Sequence, residues 1–321
     1  MENYHGQSSK EILRSQQRII YPAEVSTQSL GRLRLNVTAQ ASNRPVNNAV
    51  VSISSAGDPS QILEQVQTDT SGRTNVIELP APPLDLSLEP SAIQPYSQYI
   101  FLVQAPGFEN VTINGAQILP EVTAVQSIRM LPQKSQTTAE EFTIGAHTLF
   151  GDYPPKIAEA EIKPTNETGE IVLSKVVVPE YVVVHDGPPR DSSAQNYYVR
   201  YRDYIANVAS CEIYATWPEN TIYANILAIM SFTLNRVYTE WYRNQGYTFT
   251  ITTSTAYDHK YIPGKNTFEN IELLVDNVFA NYLSRPNVKQ PILTQYCDGR
   301  NVKCPNWMTR LQERTKYSKA A

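Results

Sequence analysis

The chain has 321 residues, 41% of them hydrophobic and 18% charged, with a formal net charge of −4. That length sets an expectation of two domains with substantial cores. The charge balance excludes a nucleic-acid binder, because there is no basic stripe, and a solvated tail, because there is no long block of like charge.

In chain order, residues 1–28 form a polar arm without a sustained apolar pattern. The arm lacks a signal-peptide core, and nowhere do eighteen apolar residues run together, so the expectation is synthesis in the cytoplasm without a signal peptide and no membrane partner. From Gly31 the texture changes. Leu33, Leu35 and Val37 alternate, Asn43-Arg44-Pro45 breaks the run, Val51 and Ile53 alternate, and Gly57-Asp58-Pro59 breaks it again. Thr68 to Gly72 reads as a turn, Tyr99 to Val103 as a buried strand, Pro106-Gly107 as a turn, and Val111 to Ile113 and Val125 to Met130 as further strands. Short strands at intervals of roughly ten residues predict a β-sandwich. Leu131 to Glu140 is polar and without period, the clearest linker. Ile171 to Val184, interrupted by Pro179, reads as strand, kink, strand.

A helix pair follows. Tyr204, Val208 and Ile213 fall near helical spacing, and Ile222, Ile226, Ile229, Met230, Thr233, Val237 and Trp241 continue the pattern. Pro218 places the break between them and predicts a second helix from Glu219 to Arg243, roughly 37 Å long. Tyr247 to Thr253 alternates as a strand, and Asn270 to Leu283 carries a further helical period. The predicted fold class is α+β: an all-β sandwich followed by a helix-rich α+β part.

Among residues able to carry chemistry, Glu212 stands out, on the last turn of the first helix beside Tyr214 and Trp217. A glycoside hydrolase normally needs two carboxylates. A lytic transglycosylase needs one, because the substrate's own C6 hydroxyl replaces water and the same carboxyl gives and takes the proton. For that role the carboxyl starts neutral, which requires desolvation by neighbours such as Ile213, Tyr214 and Trp217. The alternative is a carboxylate that caps or pairs at a helix junction. His259, in a loop beside Asp258, and the lone His185 have the same two readings, catalytic or merely structural. There is no Gly-rich phosphate loop, HExxH helix or GxSxG elbow. Cys297 and Cys304 enclose six residues, too many for a zinc hairpin. A disulfide between them would contribute about 2.5 kcal/mol, and two reduced thiols are equally compatible with the spacing. Cys211 reads as a small buried apolar residue.

Two resemblances sharpen these readings. The stretch from Gly31 through Pro120, with Pro45-Val46 before Ala49, the Thr-Asp-x-Ser-Gly turn and an aromatic after Ala-Pro-Gly, resembles the carboxypeptidase-regulatory, transthyretin-like sandwich. The run Tyr-Ile-x-x-Val-Ala-x-x-Glu-Ile, the Trp217-Pro218 turn, and a long helix with Ala228 and Asn235-Arg236 resemble the catalytic part of clostridial spore cortex-lytic enzymes of the SleC type, related to the SpoIID/LytB family. That resemblance implies a precursor, processed by a germination protease, that cleaves the glycan strands of spore-cortex peptidoglycan. Glu212 takes the catalytic place, and Tyr214, Trp217, Tyr257, Asp258 and His259 are candidates for the substrate-binding wall. The zinc-binding set of sporulation protein D is not reproduced, so neither metal nor other cofactor is expected. The family's Gln-Trp-Gly segment is absent, and RLQERTKYSKAA stands as an atypical tail.

The expected division is an arm at 1–28, a sandwich at 29–132, a linker at 133–142, a SpoIID-like catalytic part at 143–309 and the tail at 310–321. Activation cleavage is expected near Gln133 to Gln136, with the sandwich restraining the catalytic part or merely anchoring it. Two competing readings are a non-catalytic glycan-binding or spore-assembly protein and a peptidoglycan amidase.

Overall fold

A computed structural model of the chain describes residues 29–88, 93–133, 139–147, 149, 154, 156–160, 162, 173–297 and 308–309. The expected arm at 1–28 and the tail at 310–321 lie outside the described residues, as do Gln136 and Cys304.

The first part runs β1 (Ser29–Ala39), β2 (Val50–Ser55), β3 (Asp58–Gln67), β4 (Ile77–Ala81), a four-residue helix α1 (Asp85–Leu88), β5 (Ser97–Gln104), β6 (Val111–Ile118), β7 (Thr123–Met130) and β8 (Glu140–Thr143). Alternation makes these strands. Leu33, Leu35 and Val37 of β1 are fully buried while the residues between them are not, and Tyr99, Phe101 and Val103 of β5 repeat the pattern; in β2, Ser52 and Ser54 are buried along with Val51 and Ile53. β7, β1 and β4 form one sheet, and β3-β2-β5-β6-β8 a second. The inward residues of both belong to one buried cluster, as in a sandwich.

β3 and β8 escape the sequence pattern for one reason. Both are sheet edges, β3 is exposed over nearly its whole length, and an edge need not carry an apolar face. β8 also corrects the expected linker at 133–142. It pairs in parallel with β6 from Val111↔Glu140 to Asn114↔Thr143, while the Glu109 N–H donates to Leu131 O at 2.8 Å and the Gln133 N–H to Gly107 O at 2.9 Å. The described ends of that window are thus ladder-bonded to the sandwich, which extends to Thr143.

The second part runs β9 (Tyr181–His185), β10 (Asn196–Arg200), α2 (Tyr201–Glu212), α3 (Glu219–Tyr238), β11 (Ile251–Thr252), β12 (Thr267–Phe268), α4 (Glu269–Val278), β13 (Tyr296–Cys297) and β14 (Met308–Thr309). β10-β9-β11 form a small sheet, and β13 pairs with β14. The chain is therefore mixed α+β with several sheets. α3 starts as expected, with Pro218 as its N-cap, but it ends at Tyr238, about 30 Å along rather than 37 Å. The apolar period continues to Trp241, yet Glu240 adopts φ +48. The Glu240 N–H then bonds Val237 O and the Trp241 N–H bonds Arg236 O, a Schellman closure. α4 likewise stops at Val278, and the Leu283 N–H turns aside to Ser231 Oγ at 2.8 Å. Of the expected strand at Tyr247 to Thr253 only β11 forms, and of the expected strand-kink-strand only β9 forms among the described residues.

The two parts are not separable. β12 extends the first sheet through Thr267↔Val125 and Phe268↔Ala124. Fully buried Asn266 accepts from the Gln117 N–H and donates to Gln117 O, both at 2.9 Å. Gly264 has φ +74, and a Cβ there would lie 2.9 Å from the Phe142 ring of β8, so the approach of the two parts requires glycine. One buried cluster spans both parts. The sandwich thus contributes part of a shared buried core.

Asn266→Ala strands a buried N–H and C=O of Gln117 and should lower unfolding free energy by about 2–4 kcal/mol in denaturant titration. A chain nicked between Gln133 and Gln136 should elute as one particle in native size-exclusion chromatography. Separate elution of two fragments would show that the shared sheet does not hold them.

Candidate functional site

Glu212 is the last residue of α2, and Ile213 leaves the helix in extended conformation. Glu212 is 2% exposed, and its Oε1 accepts the Lys260 N–H at 2.8 Å. That contact belongs to a longer grip. One face of α2, at helical spacing, holds the segment from His259 to Ile262: the Tyr204 hydroxyl lies 3.2 Å from His259 Nδ1, the Tyr204 ring stacks on Tyr261, and Asn207 both donates to Ile262 O at 2.9 Å and accepts the Ile262 N–H at 3.1 Å.

Tyr214 and Trp217 are beside Glu212 in sequence and meet edge to face at 5.9 Å. Both are buried. The Trp217 indole N–H donates to Ser87 O at 2.8 Å, and Thr216 Oγ1 to Ser87 Oγ at 2.8 Å. Trp217 therefore fastens the helix junction to the sandwich instead of lining a cleft.

Asp258 and His259 correct the expected binding wall, whereas Tyr257 beside them is half-buried. Asp258 and His259 are 1% and 0% exposed. Asp258 Oδ1 accepts from Arg236 Nε at 2.7 Å, and its Oδ2 accepts from the Tyr242 hydroxyl, the Thr252 N–H and Thr252 Oγ1. The Arg236 guanidinium donates its other groups to both oxygens of Glu159 at 2.7 Å and to Tyr257 O at 3.2 Å. Burial acts against the Arg236 charge, but the nearby Asp258 and Glu159 outweigh it and keep the guanidinium ionised. Asp258 is thereby committed to structure, with both carboxylate oxygens occupied by donors. The His259 ring packs on Phe232 at 4.5 Å. His185, also buried, places Nδ1 2.8 Å from Asn196 Oδ1 and stacks on Phe249.

Three further titratable groups lie beside the junction. Burial pushes the Cys211 thiol up to about 12, so it stays protonated. His147 Nε2 lies 3.2 Å from Cys211 O, and burial together with the Lys265 charge lowers this histidine to about 4. Lys265 is 5% exposed, its Nζ has no hydrogen-bond acceptor among the described residues, and it stands 5.6 Å from the Phe268 ring centroid. The sequence reading missed His147, Glu159 and Lys265. Only Arg236 left a signal, being a charge within the apolar run of α3 that calls for a buried counter-charge.

Among the described residues no group of three or more His, Cys, Asp or Glu side chains suits a metal ion, and no helix is long and apolar enough to cross a membrane. Cys297 lies in β13, whereas its expected disulfide partner Cys304 is outside the described residues.

No protein-family model matches the chain, and no curated protein matches it. Solved structures similar to part of it include the Bacillus anthracis TIE protein, at 18% identity over 32% of this chain and 17% of that one, with a TM-score of 0.22. The minor pilin GBS52 of Streptococcus agalactiae is similar at 12% identity over 35% of this chain and 49% of that one, with a TM-score of 0.24. Hydroxyquinol 1,2-dioxygenase of Pseudomonas putida DLL-E4 is similar at 14% identity over 34% and 58%, with a TM-score of 0.24. This chain spans less than two thirds of each. At these scores none carries an argument about what the chain does.

Burial lowers the Lys265 ammonium from 10.5 to about 8. Between those pH values the unfolded chain binds the extra proton, so the stability contributed by this group rises with pH across the window. Below it the buried charge costs about 3 kcal/mol. Lys265→Met should therefore stabilise the fold by up to about 3 kcal/mol at pH 7 and by progressively less towards pH 10.5. Denaturant titrations at several pH values check it, and a pH-independent difference would contradict the burial cost.

Proposed function

We propose that this chain cleaves the glycan strands of spore-cortex peptidoglycan as a lytic transglycosylase, with a SpoIID-like catalytic part in which Glu212 is both acid and base. The observation that carries the reading is the carboxyl of Glu212, a residue 2% exposed at a helix end, followed in sequence by the buried Tyr214/Trp217 pair, with one oxygen held by a backbone N–H. Such a group is desolvated and fixed in orientation, as single-carboxyl acid/base chemistry requires. Protonated Glu212 donates to the leaving glycosidic oxygen as the C1–O bond breaks. The muramoyl C6 hydroxyl closes on C1, and its proton returns to the Glu212 carboxylate, leaving an anhydro end. Because the carboxyl is covered, the strand reaches it only when that cover opens. The partner is the cortex glycan, and the place of action is the spore. A germination protease acts on the chain in place, since the β12–β7 ladder keeps the sandwich attached.

One observation favours a second reading. The Glu212 and Asn207 contacts to Lys260 and Ile262 are also what a purely structural anchor would make, in a glycan-binding or spore-assembly protein. Glu212→Gln keeps the acceptor for the Lys260 N–H but removes the transferable proton. Release of anhydro-muramoyl ends from cortex peptidoglycan should fall by about 100-fold or more, with the melting temperature nearly unchanged. Cleavage that survives in Glu212→Gln, or a wild-type chain that binds cortex fragments without producing such ends, would establish the second reading instead.

A further inference from the structure

Lys265 is the buried ionisable group that neither the shared core nor the Glu212 carboxyl uses. It is 5% exposed, and its Nζ has no hydrogen-bond acceptor among the described residues. Arg236, the other fully covered cation, has every donor occupied, which is how a buried charge is ordinarily tolerated. The backbone on both sides of Lys265 is fastened to the sandwich. Gly264 O accepts from Gln126 Nε2 at 3.0 Å, and Asn266 bonds both backbone groups of Gln117. The lysine is therefore held in the seam between the two parts, and Gln117 Nε2 and Gln126 Oε1, on the residues that fasten it, are also buried without partners. Unmet polar atoms gathered at one seam are what an enclosed ion or water satisfies.

The charge around Nζ selects between the two. Lys265 and Lys260 both act as cations on the Cys211 thiol and on His147, and Glu212 is the carboxylate that acts on Cys211 in the opposite sense. The thiol is protonated and the histidine neutral at pH 7, so neither adds negative charge. Glu212 Oε1 is committed to the Lys260 N–H. Two ammonium groups thus face one carboxylate, and an anion gains from that imbalance where water does not. Its size is limited as well. The Phe268 ring, 5.6 Å from Nζ, gives an apolar side to the site. An oxyanion would bury several oxygens that each need a donor, whereas a single-atom anion needs only those that Lys265 offers.

We infer that Lys265 holds a small monatomic anion, chloride, in the seam between the sandwich and the helical part, where the ion acts as part of the buried core. This inference stands apart from the glycan-cleavage reading.

The test is denaturant titration of the full chain at pH 7 in sodium chloride against sodium gluconate of equal ionic strength, gluconate being too large to be enclosed. Once the site begins to fill, the folding equilibrium constant of the wild type should rise about tenfold for each tenfold increase in chloride. Lys265→Met should respond alike to both salts, so its stability advantage over the wild type should shrink as chloride replaces gluconate. Crystals grown in bromide should place a halide within hydrogen-bond distance of Lys265 Nζ. Equal effects of the two salts on the wild type, the result expected of a water at Nζ, would overturn the site. A chloride effect that survives in Lys265→Met, or bromide found only elsewhere on the molecule, would overturn it too.

Discussion

The second half of the molecule depends on one ion cluster, the Arg236 guanidinium held by Glu159 and Asp258. Burying a charge without a partner costs several kcal/mol, so a fully buried arginine is tolerable only when its donors are occupied. Here Nε, Nη1 and Nη2 all are, and the rings of Phe232, Trp241 and Tyr242 lie about the cation. The requirement is geometric as well as energetic. It draws the Glu159 segment and the Asp258 segment onto the C-terminal half of α3, and Lys156 adds a bond to Asp258 O at 2.7 Å.

From that anchor the placement of Glu212 follows. Asp258 is fixed by α3 and Ile262 by Asn207 of α2, so the intervening backbone must cross the end of α2, where the Lys260 N–H meets the carboxyl. A residue on one helix is thus oriented by an ion pair on the next. The same crossing covers Glu212, which is why a carboxyl suited to proton transfer and a carboxyl suited to anchoring a loop share one geometry.

The sandwich is coupled to this arrangement rather than attached beside it. Asn266 clamps Gln117, β12 lengthens the β7–β1–β4 sheet, and Trp217 bonds Ser87. Each of these satisfies polar groups of one part with partners from the other, so neither part keeps a complete set of hydrogen bonds alone. The two parts therefore share one buried cluster and one sheet.

What the sequence by itself determined is the set of features written in local period. The alternation of Leu33, Leu35 and Val37, or of Tyr99, Phe101 and Val103, specifies inward-facing strands, and Pro218 places the start of α3 at Glu219. Glu212 at a helix end was legible for the same reason, because it needs only the helix register. Features that depend on distant partners were not. β3 and β8 are strands only because β2 and β6 offer free edges, and α3 stops at Tyr238 because its last turn closes through Glu240 and Trp241, against an apolar period that continues. Asp258 and His259 read as loop residues open to a ligand, and tertiary structure made them buried, since the Arg236 charge 22 residues earlier in the chain required a counter-charge there. Local spacing records which face of an element is apolar; which polar group that face must satisfy is decided only when the elements meet.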